Sequence, residues 1–74
     1  MGERQQAIIK FIAKYKTEHG YPPSNREIQA AVGLASVSTV NGHIDRLEKN
    51  GFITRKTDSP RTITLTDKGL TAAQ

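Results

Sequence analysis

The feature that most constrains this chain follows Pro22-Pro23, where Ser24-Asn25-Arg26-Glu27 forms a capping box. A serine and a glutamate three residues apart satisfy each other's free backbone N–H groups, so a helix is expected to begin there. The two prolines cannot continue a preceding helix, and Gly20 supplies its stop. The new helix is short, because Gly33 allows a positive φ that other residues resist. Ser36 can cap a third helix through about Asn50, which Gly51 ends. A short helix, a tight glycine turn and a longer helix are the parts of a helix-turn-helix.

Hydrophobic spacing fills in the rest. A first helix over about 3–18 places Ile8, Phe11, Ile12 and Tyr15 on one stripe, with Lys10, Lys14 and Lys16 off its centre. The second, about 25–32, turns Ile28, Ala31 and Val32 inward. The third, about 37–50, buries a narrow stripe of Val37, Val40, Ile44 and Leu47. Phe52 to Thr57 is rich in β-branched and aromatic residues, and Thr62 to Thr66 alternates with Ile63 and Leu65 inward. Asp58-Ser59-Pro60 between them is turn chemistry, so the pair reads as a hairpin. Asp67 to Gln74 is expected to add a partial turn of helix or to fray. The expected fold is mainly α with a small β-hairpin: one domain over 1–74, a winged helix-turn-helix of three helices with a two-stranded antiparallel wing over about 52–66. The stripes alone would suit any three-helix packing.

Composition narrows the function. At 74 residues the chain buries only roughly 60% of its unfolded surface, a thin core on which a deep catalytic cleft is hard to build. It has no cysteine, and His19 and His43 stand in no ligand-like or acid–base motif. No catalytic residue, metal, cofactor or small-molecule substrate is therefore expected. Ala7 to Ala13 is interrupted by Lys10 and too short for a bilayer or a signal peptide, so no membrane role and a cytoplasmic location are expected. A net charge of +4, from 11 basic and 7 acidic residues, favours an anionic partner. The excess sits at the two ends of the chain. Phe11, Tyr15 and Phe52 read as core, which leaves no aromatic platform for single-stranded RNA.

The outward side of the third helix carries the functional signal. Ser36, Ser38, Thr39 and Asn41 are small, uncharged donor–acceptors that can reach base edges in a major groove, and asparagine can pair bidentately with adenine. Gly42 permits close approach of a backbone or a thymine methyl, or is simply a tolerated glycine. The bland alternative for the hydroxyls is ordinary capping and solvation of a helix end. For the DNA backbone the candidates are Ser24, Arg26 and Arg46 on the helices and Arg55, Lys56 and Arg61 around the hairpin tip, where a solvated basic loop is the alternative.

These residues also form a family pattern. Arg4-Gln5-Gln6, Gly20-Tyr21-Pro22-Pro23-Ser24, Arg26-Glu27-Ile28, Val32-Gly33-Leu34 with Ser36, His43, Leu47, Gly51-Phe52-Ile53 and Pro60-Arg61 with Ile63 and Leu65 resemble the N-terminal operator-binding domain of the LexA family of repressors. The similarity spans about residues 3–66. It implies a winged helix-turn-helix whose third helix enters the major groove of a double-stranded operator, in repression of the SOS response of a bacterium or phage. It places base contacts at Ser36, Ser38, Thr39, Asn41 and Gly42 and a wing contact to the backbone near Arg61. Asn41 and Gly42 replace acidic residues of some members, so the operator need not be the usual one. The family's serine–lysine peptidase domain, which also dimerises those repressors, is expected to be absent. The chain is expected to be either an excised domain or a stand-alone regulator, with a homodimer on a two-fold site as one possible arrangement. The rival reading is a winged-helix module for protein contact, antirepressor-like, without DNA binding.

Overall fold

A computed structural model describes residues 2–56 and 61–74. The element order is α1 (Glu3–His19), α2 (Asn25–Val32), α3 (Val37–Lys49), β1 (Ile53–Thr54), β2 (Thr64–Leu65) and α4 (Asp67–Ala72). The two strands pair antiparallel, with Ile53 opposite Leu65 and Thr54 opposite Thr64.

The helix boundaries follow the local chemistry. Gly20 closes α1 at φ 82°, its N–H donating to Lys16 O. Glu27 N donates to Ser24 Oγ at 3.3 Å, and Ser24 N donates to Glu27 Oε1 at 2.8 Å, which completes the capping box. Gly33, at φ 73°, ends α2, and the N–H groups of Gly33 and Leu34 both donate to Gln29 O. Ser36 Oγ accepts from Thr39 N at 3.2 Å and starts α3. Past the end of α3, Gly51 takes φ 81°.

The core is aliphatic: Ile8, Ile9, Ile12, Ile28, Val40, Ile44, Leu47, Ile53 and Ile63. Burying each such side chain contributes about 1.5–3 kcal/mol against leaving it exposed. Phe11, Val32, Leu34, Phe52 and Leu65 pack half-buried around it. Two inward assignments change. Ile9 is fully buried because α1 is covered on one flank by α2 and on the other by β2 and α4. Ala31 is exposed: α2 buries Ile28 and half-buries Val32, leaving Ala31 at the rim of a shallow depression with Phe11 and Arg4.

The wing is shorter than expected. Among the described residues the ladder covers Ile53–Thr54 and Thr64–Leu65, and beyond it the Thr62 hydroxyl bonds to Lys56. Lys56 N donates to Thr62 Oγ1 at 3.0 Å, and that hydroxyl lies 3.3 Å from Lys56 O. The expected turn Asp58-Ser59-Pro60 and strand end Thr57 lie outside the described residues.

The C-terminal segment forms α4 instead of fraying. Thr66 Oγ1 accepts from Gly69 N at 3.2 Å and caps it. Two side chains then serve carbonyls just past α3: Thr66 Oγ1 donates to Gly51 O at 2.5 Å, and Lys68 Nζ to Asn50 O at 2.8 Å. Lys68 Nζ also sits 4.5 Å from the centre of the Phe52 ring, a cation–π contact. Gln6 Nε2 donates to Ala72 O, tying α4 to α1. Gly69 is buried so closely that a Cβ there would lie 2.0 Å from Phe52 O.

Candidate nucleic-acid interface

Opposite the Val40, Ile44 and Leu47 stripe, α3 presents Ser36, Ser38, Thr39, Asn41 and Gly42, all solvent-exposed. Their outward position follows from periodicity, since the buried residues recur at spacings of four and three. Ser36 Oγ and Thr39 Oγ1 lie 3.1 Å apart, so the capping hydroxyl and the next outward hydroxyl form one polar edge. A Cβ on Gly42 would meet nothing within 4 Å, which leaves that part of α3 open to an approaching surface. Asn41 is oriented from α2: Asn25 Nδ2 donates to Asn41 Oδ1 at 2.5 Å. Sequence reasoning missed Asn25, because two polar residues sixteen apart give no periodic or motif signal.

The basic candidates divide by what already holds them. Among the described residues, the side chains of Arg26, Arg46 and Lys56 make no ion pair. All three are exposed. Arg55 is half-buried, pairing with Asp45 and, at 3.5 Å through Nε, with Glu48. Its guanidinium braces the wing against α3, and its charge is largely matched there. Ser24 Oγ accepts in the capping box, which leaves its O–H able to donate.

Arg61 is the most heavily engaged. It stands at φ 56°, the left-handed region that side chains other than glycine rarely adopt. From there Nη1 reaches Glu27 Oε1 at 2.8 Å, Tyr15 Oη at 3.3 Å and Pro22 O at 3.3 Å. The guanidinium carbon lies 5.0 Å from the Tyr21 ring centre. Tyr15 Oη donates to Glu27 Oε2 at 2.5 Å. These donors hold the Glu27 carboxyl well below the carboxylate range, at about 2, with the Tyr15 hydrogen bond the largest cause and the backbone N–H of Ser24 next. The same bond to Glu27 raises the Tyr15 phenol, while the Tyr15 contact is the largest cause raising Arg61. One carboxylate thus caps α2 and clamps the wing-side arginine to the body.

Phe11 and Phe52 pack against the core as expected, and Tyr15 does not join it. Tyr15 is half-buried, and its ring lies 4.1 Å from His19 and 5.8 Å from an exposed Tyr21. This surface cluster is covered in part by Arg61. Among the described residues, Leu70 on α4 is the other exposed large hydrophobic residue. His43 is half-buried, with Nδ1 3.5 Å from Gln5 Nε2. Among the described residues no group of His, Asp or Glu is arranged to hold a metal ion, and no helix is long and apolar enough to cross a membrane.

Comparison with known proteins places this geometry. The family model described as LexA DNA binding domain matches residues 1–62. The chain is similar to the LexA repressor of Oenococcus oeni, 54% identical over 93% of this chain and 32% of that protein. It is similar to that of Brevibacillus brevis, 60% identical over 88% of this chain and 31% of that protein, and to that of Geobacillus thermodenitrificans, 52% identical over 96% and 34%. The chain thus spans about a third of the length of these relatives. A crystal structure of a hypothetical protein superposes with a TM-score of 0.81, covering 99% of this chain and 24% of that one at 24% identity, a likeness of fold.

Proposed function

The chain belongs to the LexA DNA-binding domain family, and from that membership we propose that it reads a double-stranded operator with α3 in the major groove, as the DNA-docking part of a transcriptional repressor. The observation that carries this reading is the start of α3, where five small, uncharged or side-chain-free positions face solvent together: Ser36, Ser38, Thr39, Asn41 and Gly42. Hydroxyls and a carboxamide match base-edge donors and acceptors, and the first-turn N–H groups that the Ser36 cap does not engage add donors for an adjacent phosphate.

Backbone contacts come from three of the basic candidates that have no ion pair among the described residues, Arg26 and Arg46 on the helices and Lys56 on the wing. Ser24, at the start of α2, offers a further polar contact. Arg55 and Arg61 contribute through the guanidinium N–H groups left over from their contacts with Asp45, Glu48 and Glu27, and otherwise hold the wing in place. A single copy covers one half-site, so two copies on a two-fold operator, with centres about 34–36 Å apart, complete the reading. A repressor of this kind acts in the cytoplasm, in the SOS response, and the domain itself performs no catalysis.

The experiment is a salt titration of binding to a random duplex, followed by comparison with sequences enriched from a random pool. Neutralised phosphates make log K fall linearly with log salt, and enriched sequences should bind far more tightly than random ones. No affinity for any duplex at low salt removes the proposal and leaves a protein-contact role.

A further inference from the structure

A single hydrogen bond joins the helix-turn-helix's first helix to the reading face of its second. Asn25 is the first residue of α2, half-buried beside the capping box, and its Nδ2 donates to Oδ1 of the exposed Asn41 at 2.5 Å. A free asparagine on a helix surface samples both faces of its carboxamide and several rotamers. This one has its oxygen held from α2. The amide is therefore restrained before any ligand arrives, and its Nδ2 is not used in that bond.

We infer that Asn25 is a positioning residue for base selection: its hydrogen bond restrains the Asn41 carboxamide at the groove, and as bonded here it leaves Asn41 Nδ2 to meet a base-edge acceptor. Acceptors of that kind are N7 of either purine, O6 of guanine and O4 of thymine. The Asn41 oxygen keeps a second lone pair, so a bidentate contact with adenine remains available in this one orientation. The reversed Asn41 amide, which would offer oxygen to the N4 amino group of cytosine, keeps its bond to α2 only when the Asn25 amide reverses with it and accepts through its own oxygen. The inference rests on the reading that Asn41 faces the groove and adds what holds its carboxamide in place.

Neighbouring side chains do not supply the same restraint. Ser38 and Thr39 are exposed, Thr39 is turned to Ser36, and Gly42 has no side chain. Asp45, one turn beyond Asn41, is taken by Arg55. Asn25 alone is seen to hold the Asn41 carboxamide among the described residues.

The test is selection of bound duplexes from a random pool by the wild-type chain, Asn41→Ala, Asn25→Ala and Asn25→Asp in parallel. Asn41→Ala should flatten the preference at one base pair of the half-site and thereby identify it. Asn25→Ala should weaken preference at that same pair by about twofold to tenfold, the range for immobilising one flexible side chain, and leave the other pairs as they were. Asn25→Asp accepts but cannot donate, so it should turn Asn41 Nδ2 inward and shift the preference at that pair toward a base presenting an amino group. An aspartate at the first position of α2 suits the helix dipole, so the fold should be retained, as a thermal melt would verify. An Asn41 effect with no change at that pair in Asn25→Ala, or with wild-type preference kept in Asn25→Asp, overturns the role of Asn25 alone. An even loss over all pairs in Asn25→Ala does the same. If Asn41→Ala flattens no pair, the groove-facing reading of Asn41 fails and the inference fails with it.

Discussion

Gly42→Ala separates stability from reading at one position. Gly42 lies inside α3 with a helical backbone, and a Cβ there would meet nothing within 4 Å. A glycine in a helix interior costs about 0.8–1 kcal/mol relative to alanine, so the substitution should stabilise the free domain by about that amount. Unfolding entropy near 60 °C is roughly 2.1 cal/mol/K per residue, or about 0.16 kcal/mol/K for a chain of this length. The melting temperature should therefore rise by about 5–6 °C in a calorimetric or circular-dichroism melt. Affinity for an enriched operator should move the other way, by about tenfold or more, because the methyl occupies the space a base or backbone would enter. A lower melting temperature would refute the open-space argument. A higher melting temperature with unchanged operator affinity would refute the placement of Gly42 at the interface. Gly69→Ala is the internal control: a Cβ 2.0 Å from Phe52 O must push α4 off the wing, so the same substitution there should lower the melting temperature.

Four further perturbations probe the same geometry. Glu27 has a folded-state pKa of about 2 against an ordinary 4.5; its contribution to stability is fully present above about 4.5 and is lost as pH falls toward 2. Urea midpoints measured over that window should fall with pH in the wild type and flatten in Glu27→Gln. Ile44→Ala removes a side chain with no solvent exposure and should cost about 2–5 kcal/mol, read from the same denaturation curves. Lys56→Ala should reduce the slope of log K against log salt by about one on any duplex. Arg55→Ala should change that slope less than Lys56→Ala, because Asp45 and Glu48 already match its charge.

The parts legible in the sequence were those set by local chemistry. Ser24 and Glu27 place the start of α2 because capping depends on residues three apart. Gly20, Gly33 and Gly51 mark helix ends because each takes a positive φ. The Val40, Ile44 and Leu47 stripe orients α3, and with it the outward Ser38, Asn41 and Gly42. What escaped depends on contacts between segments distant in the chain. Ile9 joins the core because α4 and β2 cover a second flank of α1. Thr66 and Lys68 turn the tail into a helix by finding the carbonyls past α3. Arg61 carries a charge expected to lie free at a wing tip, yet it reaches back to Glu27 and Tyr15. The Asn25–Asn41 bond is of the same kind: neither residue alone signals it.

The claim that α3 is the reading element is tested most directly by titrating isotope-labelled chain with an enriched operator duplex and following backbone amide shifts residue by residue. The largest perturbations should fall at residues 36–42, with smaller ones at 24–26 and at Lys56, and little change along the outer face of α1 or in α4. Perturbations centred on α1 or α4, with residues 36–42 unmoved at saturation, would contradict it.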